Sequence, residues 1–369
     1  MKMNGERLLI ISIFLVLVWT VFPFIPAFGA ETTPPPIVLK YGGVNPEGSW
    51  PEIYGHKLWR DDVKKATGGR VTFEDYNAQT LVKTPYTWRS VEIGIADVTS
   101  ATHVALPGQC PLAEVMALPF LPFKSASQAS GILWKLYEEF PSIREEFKVH
   151  HVTHFVIGLG NHIISRKKLF KTIDDFKGAK IRATGGALAP EQLQLLGAAP
   201  VTMPVTEVYL NFQKGVMDAV VGNWDFTIFT KLYEVGQYYT YAPVNGFVIS
   251  SLINKAKWNS LPPDIQQIIN KQSGLWRSEE LGYQQFDSAF DRAKKLIKDE
   301  GFQMIEYTVP QEELQKWIKV SAYPVWDKWV KDSTAKGHPE SRQILDRVLQ
   351  LIETYKPDYK PGYKPGYKP

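Results

Sequence analysis

The sequence predicts an α/β protein with two domains, and three observations support this prediction. The chain has 369 residues, which is more than one ordinary domain holds. Its composition, 44% hydrophobic and 13% aromatic, supplies a large core and excludes general disorder. Strand-like and helix-like segments also alternate along the chain. Together these features predict a mostly parallel sheet with helices on both faces.

The first part of the chain predicts one such unit. The period-2 and helical patterns, with glycine pairs as stops, follow one another in a regular order. In sequence they are a strand in IVLKYGG (37–43), a helix over 51–66 ended by Gly68 and Gly69, a strand in RVTFEDYN, a helix in YTWRSVEIG and a strand in ADVTSAT (96–102). Ligands on sheets of this kind bind where strands end and loops converge.

A second unit follows from residue 150. Its segments are an apolar run over 150–166, a strand in AKIRAT, a helix over 189–196, a helix in PVTEVYLNFQKG with Thr206 as N-cap, and a strand in DAVVGN. A helical stretch over 262–300, interrupted by Gly274 and Gly282, is then expected. At 1.5 Å per residue it is roughly 55 Å long, so we expect it to span both domains.

The first thirty residues have the features of a secretory signal peptide. Lys2 and Arg7 precede an apolar run over 8–24, and the small residues of PAFGA (26–30) form a cleavage zone. An uncleaved membrane anchor is the alternative, because the run approaches the length that spans a bilayer. The single cysteine, Cys110, excludes an internal disulfide. We therefore expect an exported, periplasmic protein.

The C-terminus repeats a four-residue unit from Tyr355, as YKPD, YKPG, YKPG and YKP. Regular proline forbids helix and central strand, which predicts an extended, solvated tail. Attachment to an anionic surface is one role for it, and a dispensable extension is the other. The tail contributes +3 and the leader +1, which accounts for the whole formal charge of +4. The neutral body gives no reason to expect a nucleic acid partner.

Six segments, in order and spacing, resemble the solute receptors of TRAP (tripartite ATP-independent periplasmic) transporters, the DctP family. They cover roughly residues 38–307 and are VKKATGGRVTFEDYN, GIADVTS, ALPFLPF, TIDDFKGAKIRATGG, LGAAPVTMPVTEVYLNFQKGVMDAVV and INKAKWNSLPPDIQQIIN. The resemblance implies a type II-like periplasmic binding protein with a ligand cleft between two domains and a long helix shared by both. We expect domain I over 37–159 and 248–288, domain II over 160–247 and 289–340, and a C-terminal helix and tail over 341–369.

The resemblance assigns the ligand arginine to Arg182, in KGAKIRATGG. A planar guanidinium donates two parallel hydrogen bonds to a carboxylate, which orients the ligand as well as attracting it. Gly185 and Gly186 free the backbone to turn into the following helix. The structural alternative is an arginine at the sheet edge paired with Asp174 or Asp175.

Further expected ligand residues come from the same resemblance and from positions near strand ends. His162 stands where many members carry a second arginine, which favours a ligand with one carboxylate and a neutral group. Asn223 supplies an amide and Trp224 a flat apolar wall. On the opposite wall we expect four residues near strand ends and the return crossover, namely Gln79, Trp88, His103 and Phe247. Core packing is the alternative for Trp88.

The resemblance implies a receptor that captures a small organic acid and delivers it to the membrane permease subunits, without catalysis or cofactor. Asp225 alone offers too few oxygens for Ca²⁺, so no metal is expected. A ligand sensor for a signalling partner is one alternative. An enzyme using Cys110 and His103 is another, although no third orienting group is evident. Monomer is the expected state, with the tryptophan-rich C-terminal region as the argument for a dimer.

Overall fold

The strands of the computed structural model, which describes residues 35–361, form one mixed sheet. The expected signal peptide and residues 362–369 lie outside the described residues. The strands are β1 (Ile37–Gly42), β2 (Val71–Tyr76), β3 (Val98–Thr102), β4 (His150–Ser165), β5 (Lys180–Arg182), β6 (Ala199–Val201), β7 (Ala219–Gly222), β8 (Tyr238–Asn254) and β9 (Ile305–Thr308).

Helices connect the strands, and the last three helices of the chain follow the final strand, β9. They are α1 (Lys57–Ala66), α2 (Thr87–Glu92), α3 (Ala126–Glu139), α4 (Pro141–Glu146), α5 (Ala189–Leu195), α6 (Val205–Lys214), α7 (Trp224–Phe229), α8 (Lys255–Ser260), α9 (Pro263–Lys271), α10 (Leu275–Gly282), α11 (Ala289–Asp299), α12 (Gln311–Trp317), α13 (Tyr323–Ala335) and α14 (Ser341–Thr354). Short π-helical turns precede α1 and join α10 to α11 and α12 to α13.

Two long antiparallel strands, β4 and β8, form the centre of the sheet, whose order is β2-β1-β3-β8-β4-β7-β5-β6 with β9 beside β8. Parallel pairs join β1 to β2 and β3, and β5 to β6 and β7. The expected α/β class is therefore confirmed. Among the described residues five of the eight strand pairs are parallel, as expected for a mostly parallel sheet, and β4 and β8 add three antiparallel pairs between the two parallel groups.

The register of β4 against β8 is irregular near the middle of both strands. It shifts between Gly158 and Asn161 and again between Asn161 and Ile163. One end of β8 pairs with β3 and the other end with β9. Two of the domain boundaries expected from the sequence, 159/160 and 247/248, lie at this irregular stretch, and the division into two domains remains a prediction.

The expected long helix over 262–300 is divided. Gly274 has a φ of 88°, a left-handed conformation that ends the run after α9, and its N–H donates to Thr153 O at 2.7 Å. From Leu275 the chain is helical through α10 and the π-helical turn 283–287 to α11. Thr206 is not an N-cap, since α6 begins at Val205 after Pro204.

The tryptophans of the C-terminal region pack within the chain. Trp317 is fully buried and meets Phe176 edge to face at 4.8 Å between ring centroids. Trp326 Nε1 donates to Pro119 O at 2.8 Å, and Trp329 Nε1 donates to Pro111 O at 3.0 Å. These side chains are thus satisfied without a second subunit. Among the helices of residues 35–361, none has the length and apolar character needed to cross a membrane.

The beginning of the tail departs from the sequence prediction. Residues 355–360 form neither helix nor strand, as expected. They are not wholly solvated, however, because Tyr359 is buried and Tyr355 is half-buried against the body of the protein. Aromatic side chains at a spacing of four residues give this segment apolar area that a solvated tail would expose.

We predict that Gly158→Ala destabilises the protein by about 1–3 kcal/mol, because overpacked sites must shift their neighbours. A Cβ at Gly158 would lie 2.3–2.7 Å from the Phe247 ring. Thermal unfolding of the variant measures the effect. Gly48→Ala is the matched control, since a Cβ there meets nothing within 4 Å. Equal melting temperatures for the two variants would show that the packing of Phe247 against Gly158 does not require glycine.

Candidate functional site

A cavity of about 310 Å³ lies beside the irregular stretch of β4 and β8. Its walls come from both long strands, the start of α7, the segment before α3 and the π-helical turn before α11. Aromatic rings dominate the lining, namely Phe120, Phe123, Trp224, Tyr241, Phe286 and Phe290. Its main polar side chains are Lys124, His162, Asn223, Asp225, Asn245 and Asp287. Such a surface suits a small molecule with an apolar body and a few polar groups.

Arg182 is a buried cation that has no ionic partner among residues 35–361. It ends β5, its side chain is 7% exposed, and it packs 5.1 Å from the Phe226 ring centroid. Nη1 donates to Thr184 Oγ1, whereas Nε has no hydrogen-bond partner. Burial lowers the pKa of the guanidinium to about 10, and no carboxylate offsets that effect. The site thus holds a positive charge that the described residues leave uncompensated.

The pairing that would explain this arginine structurally does not occur. Asp174 pairs with Lys177 at 2.8 Å, and Asp175 pairs with Lys168 at 2.7 Å. Other buried arginines have carboxylate partners. Arg60, for example, contacts Glu52 and lies 3.0 Å from Asp75. Since a buried ion is stable only when it is paired and hydrogen-bonded, Arg182 lacks what Arg60 has.

The sheet register puts Arg182 and His162 on one face. Arg182 pairs with Val220 across β5 and β7, and Val220 pairs with Ile164 across β7 and β4. Side chains of directly paired residues share a face, and His162 is two residues from Ile164 on the same strand. Two strand spacings, about 10 Å, separate Arg182 from Ile164, and His162 lies about 7 Å further along β4, so the backbones of Arg182 and His162 are about 12 Å apart. Both side chains project from the same face of the sheet.

Arg182 does not itself line the cavity, but the loop that follows it touches a residue that does. Gly185 has a φ of 130°, and a Cβ there would lie 2.6 Å from the Asn245 amide. Asn245 is held from both sides, since Asn161 Nδ2 donates to its Oδ1 at 2.9 Å and its own Nδ2 donates to Gln192 Oε1 at 3.1 Å. This buried amide chain fixes the loop after β5 against the cavity wall.

His162 lines the cavity as a neutral ring. Burial lowers its pKa to about 4, so the imidazole is uncharged at neutral pH. Nδ1 lies 2.9 Å from Ala242 O and 3.1 Å from Ala242 N, and so it is occupied by the backbone in either tautomer. Nε2 remains for a ligand, as donor or acceptor according to the tautomer. The neutral hydrogen-bonding group expected from the sequence is consistent with this geometry.

Asn223 and Trp224 both line the cavity at the start of α7. Asn223 Oδ1 accepts a hydrogen bond from Phe226 N at 2.8 Å as the N-cap, so only the amide NH₂ is left for a ligand. Trp224 stacks on Tyr239 with 4.0 Å between ring centroids. The Trp224 ring centroid also lies 6.4 Å from that of Tyr241 and 6.1 Å from that of Phe290, and both of these rings line the cavity.

Asp225 is the buried carboxyl group of the cavity lining. It is 5% exposed, and its Oδ1 has no hydrogen-bond partner. Burial raises its pKa to about 7, while Gln285 and Arg292 act in the opposite direction. The carboxyl group is therefore partly protonated near neutral pH, and each form offers the ligand a different hydrogen-bonding pattern.

The four residues expected on the opposite wall do not line this cavity. Trp88 is buried against Phe147 and His150, and His103 is buried with Nε2 at 3.1 Å from Ser250 Oγ. Gln79 Oε1 accepts a hydrogen bond from Thr84 N at 3.1 Å. Phe247 covers Gly158 and meets Phe286 edge to face at 5.8 Å. Trp88 and His103 thus have packing roles, and a ligand role for the four remains a prediction.

Several lining residues were not identified from the sequence. Tyr241 continues the alternation of Tyr239 along β8, and Phe286 and Phe290 are four residues apart on one helical face. The spacings are visible in the sequence, but they do not show whether these rings pack in the core or line a cavity. Asp287 is occupied, since its oxygens accept from Ala126 N at 2.7 Å and Ser127 N at 3.0 Å. Within residues 35–361, no group of three or more His, Cys, Asp or Glu is arranged to hold a metal.

Comparison with known proteins identifies a matching family and several relatives. The family model for bacterial extracellular solute-binding protein, family 7 (DctP), matches residues 42–332. The C4-dicarboxylate-binding periplasmic protein DctP of Rhodobacter capsulatus is 25% identical over 79% of this chain and 86% of its own. The 2,3-diketo-L-gulonate-binding periplasmic protein YiaO of Escherichia coli is 24% identical over 68% of this chain and 75% of its own.

Solved structures agree with these relatives. A TRAP solute-binding protein from Rhodoferax ferrireducens, in complex with copurified benzoate, has a TM-score of 0.78 and 26% identity, covering 86% of this chain and 98% of that one. A marine metagenome TRAP solute-binding protein specific for aromatic acid ligands, in complex with 3-hydroxybenzoate, has a TM-score of 0.79 and 26% identity, covering 87% of this chain and 99% of that one.

We predict that the stability gained by Asp225→Asn increases with pH. The pKa of Asp225 is about 7 in the folded protein and about 3.9 in an unfolded chain. The folded state therefore binds more protons between these values, and the wild type loses stability as pH rises through them. Asparagine does not titrate.

Melting temperatures of wild type and Asp225→Asn between pH 4 and pH 8 test this prediction. We expect the melting temperature of Asp225→Asn to increase relative to that of the wild type as pH rises toward 8. A difference between the two proteins that stays constant across that range would show that Asp225 has an ordinary pKa.

Proposed function

The chain belongs to bacterial extracellular solute-binding protein family 7, the DctP family of TRAP solute receptors, and we propose that it captures a small organic carboxylate. The ligand carboxylate pairs with Arg182, and the ligand body occupies the aromatic cavity beside His162 and Trp224. The acid is a monocarboxylate of the 2-oxo, aromatic or related type. Receptors of this family hand the bound acid to membrane permease subunits.

The uncompensated guanidinium of Arg182 is the observation that carries this proposal. A cation that is 7% exposed, with a free Nε and no carboxylate partner, is stabilised when an anion arrives. Its planar group forms two parallel hydrogen bonds with a carboxylate, which lysine cannot do. Arg182 also sits at the carboxyl end of β5, beside the parallel strands β6 and β7, where ligands of open α/β sheets bind.

The cavity supports an apolar or aromatic ligand body with one carboxylate. Six aromatic rings line it, and His162 is neutral because burial lowers its pKa to about 4. A second carboxylate would therefore find no buried cation among the described residues that line the cavity, since Lys124 is exposed. The benzoate and 3-hydroxybenzoate complexes of the two similar receptors fit the same chemistry.

The remaining elements of the proposal rest on the family match together with the sequence. We infer that the receptor works outside the cytoplasmic membrane, after export directed by residues 1–30, and acts as a monomer without cofactor, catalysis or nucleic acid partner. When the receptor closes around the ligand, Arg182 and the cavity wall contact the same ligand molecule. A receptor that reports to a sensor protein would use the same closed form, and a membrane permease encoded beside the receptor gene would favour transport.

We predict that Arg182→Ala weakens binding of the acid by about thirty-fold to several thousand-fold, the equivalent of about 2–5 kcal/mol for an anion left unpaired in a closed cleft. The affinity of Arg182→Lys should lie between those of Arg182→Ala and wild type, because lysine keeps the charge but cannot form two parallel hydrogen bonds. His162→Ala should cost less than either change, since water replaces a neutral donor more easily. Calorimetric titration, with an acid chosen by thermal shift from a panel including benzoate and 3-hydroxybenzoate, measures all three.

Apo stability gives the matching control. Arg182→Ala should not lower the apo melting temperature, because it removes a buried charge that nothing compensates. Arg60→Ala should lower it, since Glu52 then loses its buried cation. Arg70→Ala, on the surface, should change neither property. Unchanged affinity in Arg182→Ala would refute the site, and a panel in which only sugars or amines bind would refute the ligand class.

A further inference from the structure

The first unit of the C-terminal repeat is docked in a groove between α3 and α10. Its residues 355–359 read Tyr-Lys-Pro-Asp-Tyr. The Tyr355 hydroxyl donates to Glu279 Oε1, while Asp358 N and Tyr359 N donate to Glu279 Oε2 at 3.1 and 2.9 Å. Glu279 is fully buried under the segment, and burial raises the pKa of its carboxyl group to about 7. One carboxylate thus accepts three hydrogen bonds from the tail.

The groove is shaped for the tyrosine rings. A Cβ at Gly131 would lie 2.7 Å from the Tyr355 hydroxyl and 2.8 Å from its ring, so this position of α3 has room for the ring only as glycine. Lys135 Nζ lies 4.9 Å from the Tyr355 ring centroid. Gln128 Nε2 donates to Tyr355 O at 2.9 Å. Ring, hydroxyl and backbone of the first tyrosine are therefore each recognised.

The second tyrosine is recognised by the π-helical turn that follows α10. Gln284 Nε2 donates to the Tyr359 hydroxyl at 3.0 Å, and the Tyr283 ring lies 5.6 Å from that of Tyr359. The same turn contributes Phe286 and Asp287 to the cavity lining, and α3 contributes Ala126. The docked unit thus straps together two elements that form the cavity wall.

The side chain at the fourth position of the unit is not used. Asp358 contributes its N–H, and its carboxylate acts against Glu279 by raising the pKa of that group. The later units of the tail, residues 359–363 and 363–367, carry glycine at this position and keep both tyrosines, the lysine and the proline. The groups that the groove contacts are therefore repeated along the tail.

We propose that the groove formed by Gln128, Gly131, Lys135, Glu279, Tyr283 and Gln284 is a peptide-binding site for the Tyr-Lys-Pro-x-Tyr unit. The repeats of the chain's own tail are interchangeable ligands for this site. Whichever unit is bound straps α3 to α10, and glycine at the x position binds at least as well as aspartate.

Hydrogen exchange in the full-length protein tests the site. The amides of Asp358 and Tyr359 report docking directly, because both donate to Glu279. We expect them to exchange at least tenfold more slowly than in an unstructured peptide, and to lose that protection in Tyr355→Ala and in Gly131→Ala. Gly131→Ala adds only a good helix former to α3 apart from its clash with Tyr355. Asp358→Gly should preserve the protection of Tyr359.

Competition by a free peptide tests recognition of the repeat. Acetyl-Tyr-Lys-Pro-Gly-Tyr-amide, added at millimolar concentration to the full-length protein, should speed exchange at Asp358 and Tyr359 by displacing the docked unit, whereas a scrambled peptide of the same composition should not. Absent protection in the wild type, protection that survives both Tyr355→Ala and Gly131→Ala, or equal effects of the two peptides would each overturn the proposal.

Discussion

A buried guanidinium without a counter-ion is the feature on which the account of this protein depends. Burial of a charge is tolerated when hydrogen bonds and an opposite charge compensate it, as Glu52 and Asp75 do for Arg60. Arg182 donates a hydrogen bond to Thr184 Oγ1 but has no carboxylate partner among the described residues. The folded protein therefore bears a cost at this residue that a bound carboxylate relieves. Such a cost is typical of binding sites, where the partner that completes the site is the ligand.

The sheet makes this arrangement possible. Because β4 and β8 run antiparallel through the centre, the short parallel strands β5 and β7 present their carboxyl ends at the same place where the long strands become irregular. Three neighbouring strands supply these groups: β5 ends at Arg182, β4 contains His162, and α7 follows β7. The order of these strands in the sheet therefore sets the distances between the groups. The buried chain of Asn161, Asn245 and Gln192 then holds the loop after β5 in position.

Local pattern predicted most of the strands and helices, because glycine stops and period-2 alternation are encoded within a few residues. Gly274 interrupts the helical stretch over 262–300 as its position in the sequence predicted, and Thr153 O accepts its N–H. The same local patterns did not predict contacts between residues that are distant in the sequence. Tyr359 is buried by Gln284 and Glu279, which lie far away in the sequence. Family resemblance led to the prediction of Arg182, His162, Asn223 and Trp224 as ligand residues, whereas only the fold showed that Phe286 and Phe290 line the cavity.

The most direct measurement of the central claim is a crystal structure of the protein with 4-iodobenzoate, whose iodine gives an anomalous signal. We expect the carboxylate to bind the Arg182 guanidinium through two hydrogen bonds, with the ring directed toward the cavity side of His162 and Trp224. A carboxylate bound elsewhere, with Arg182 still unpaired, would contradict it.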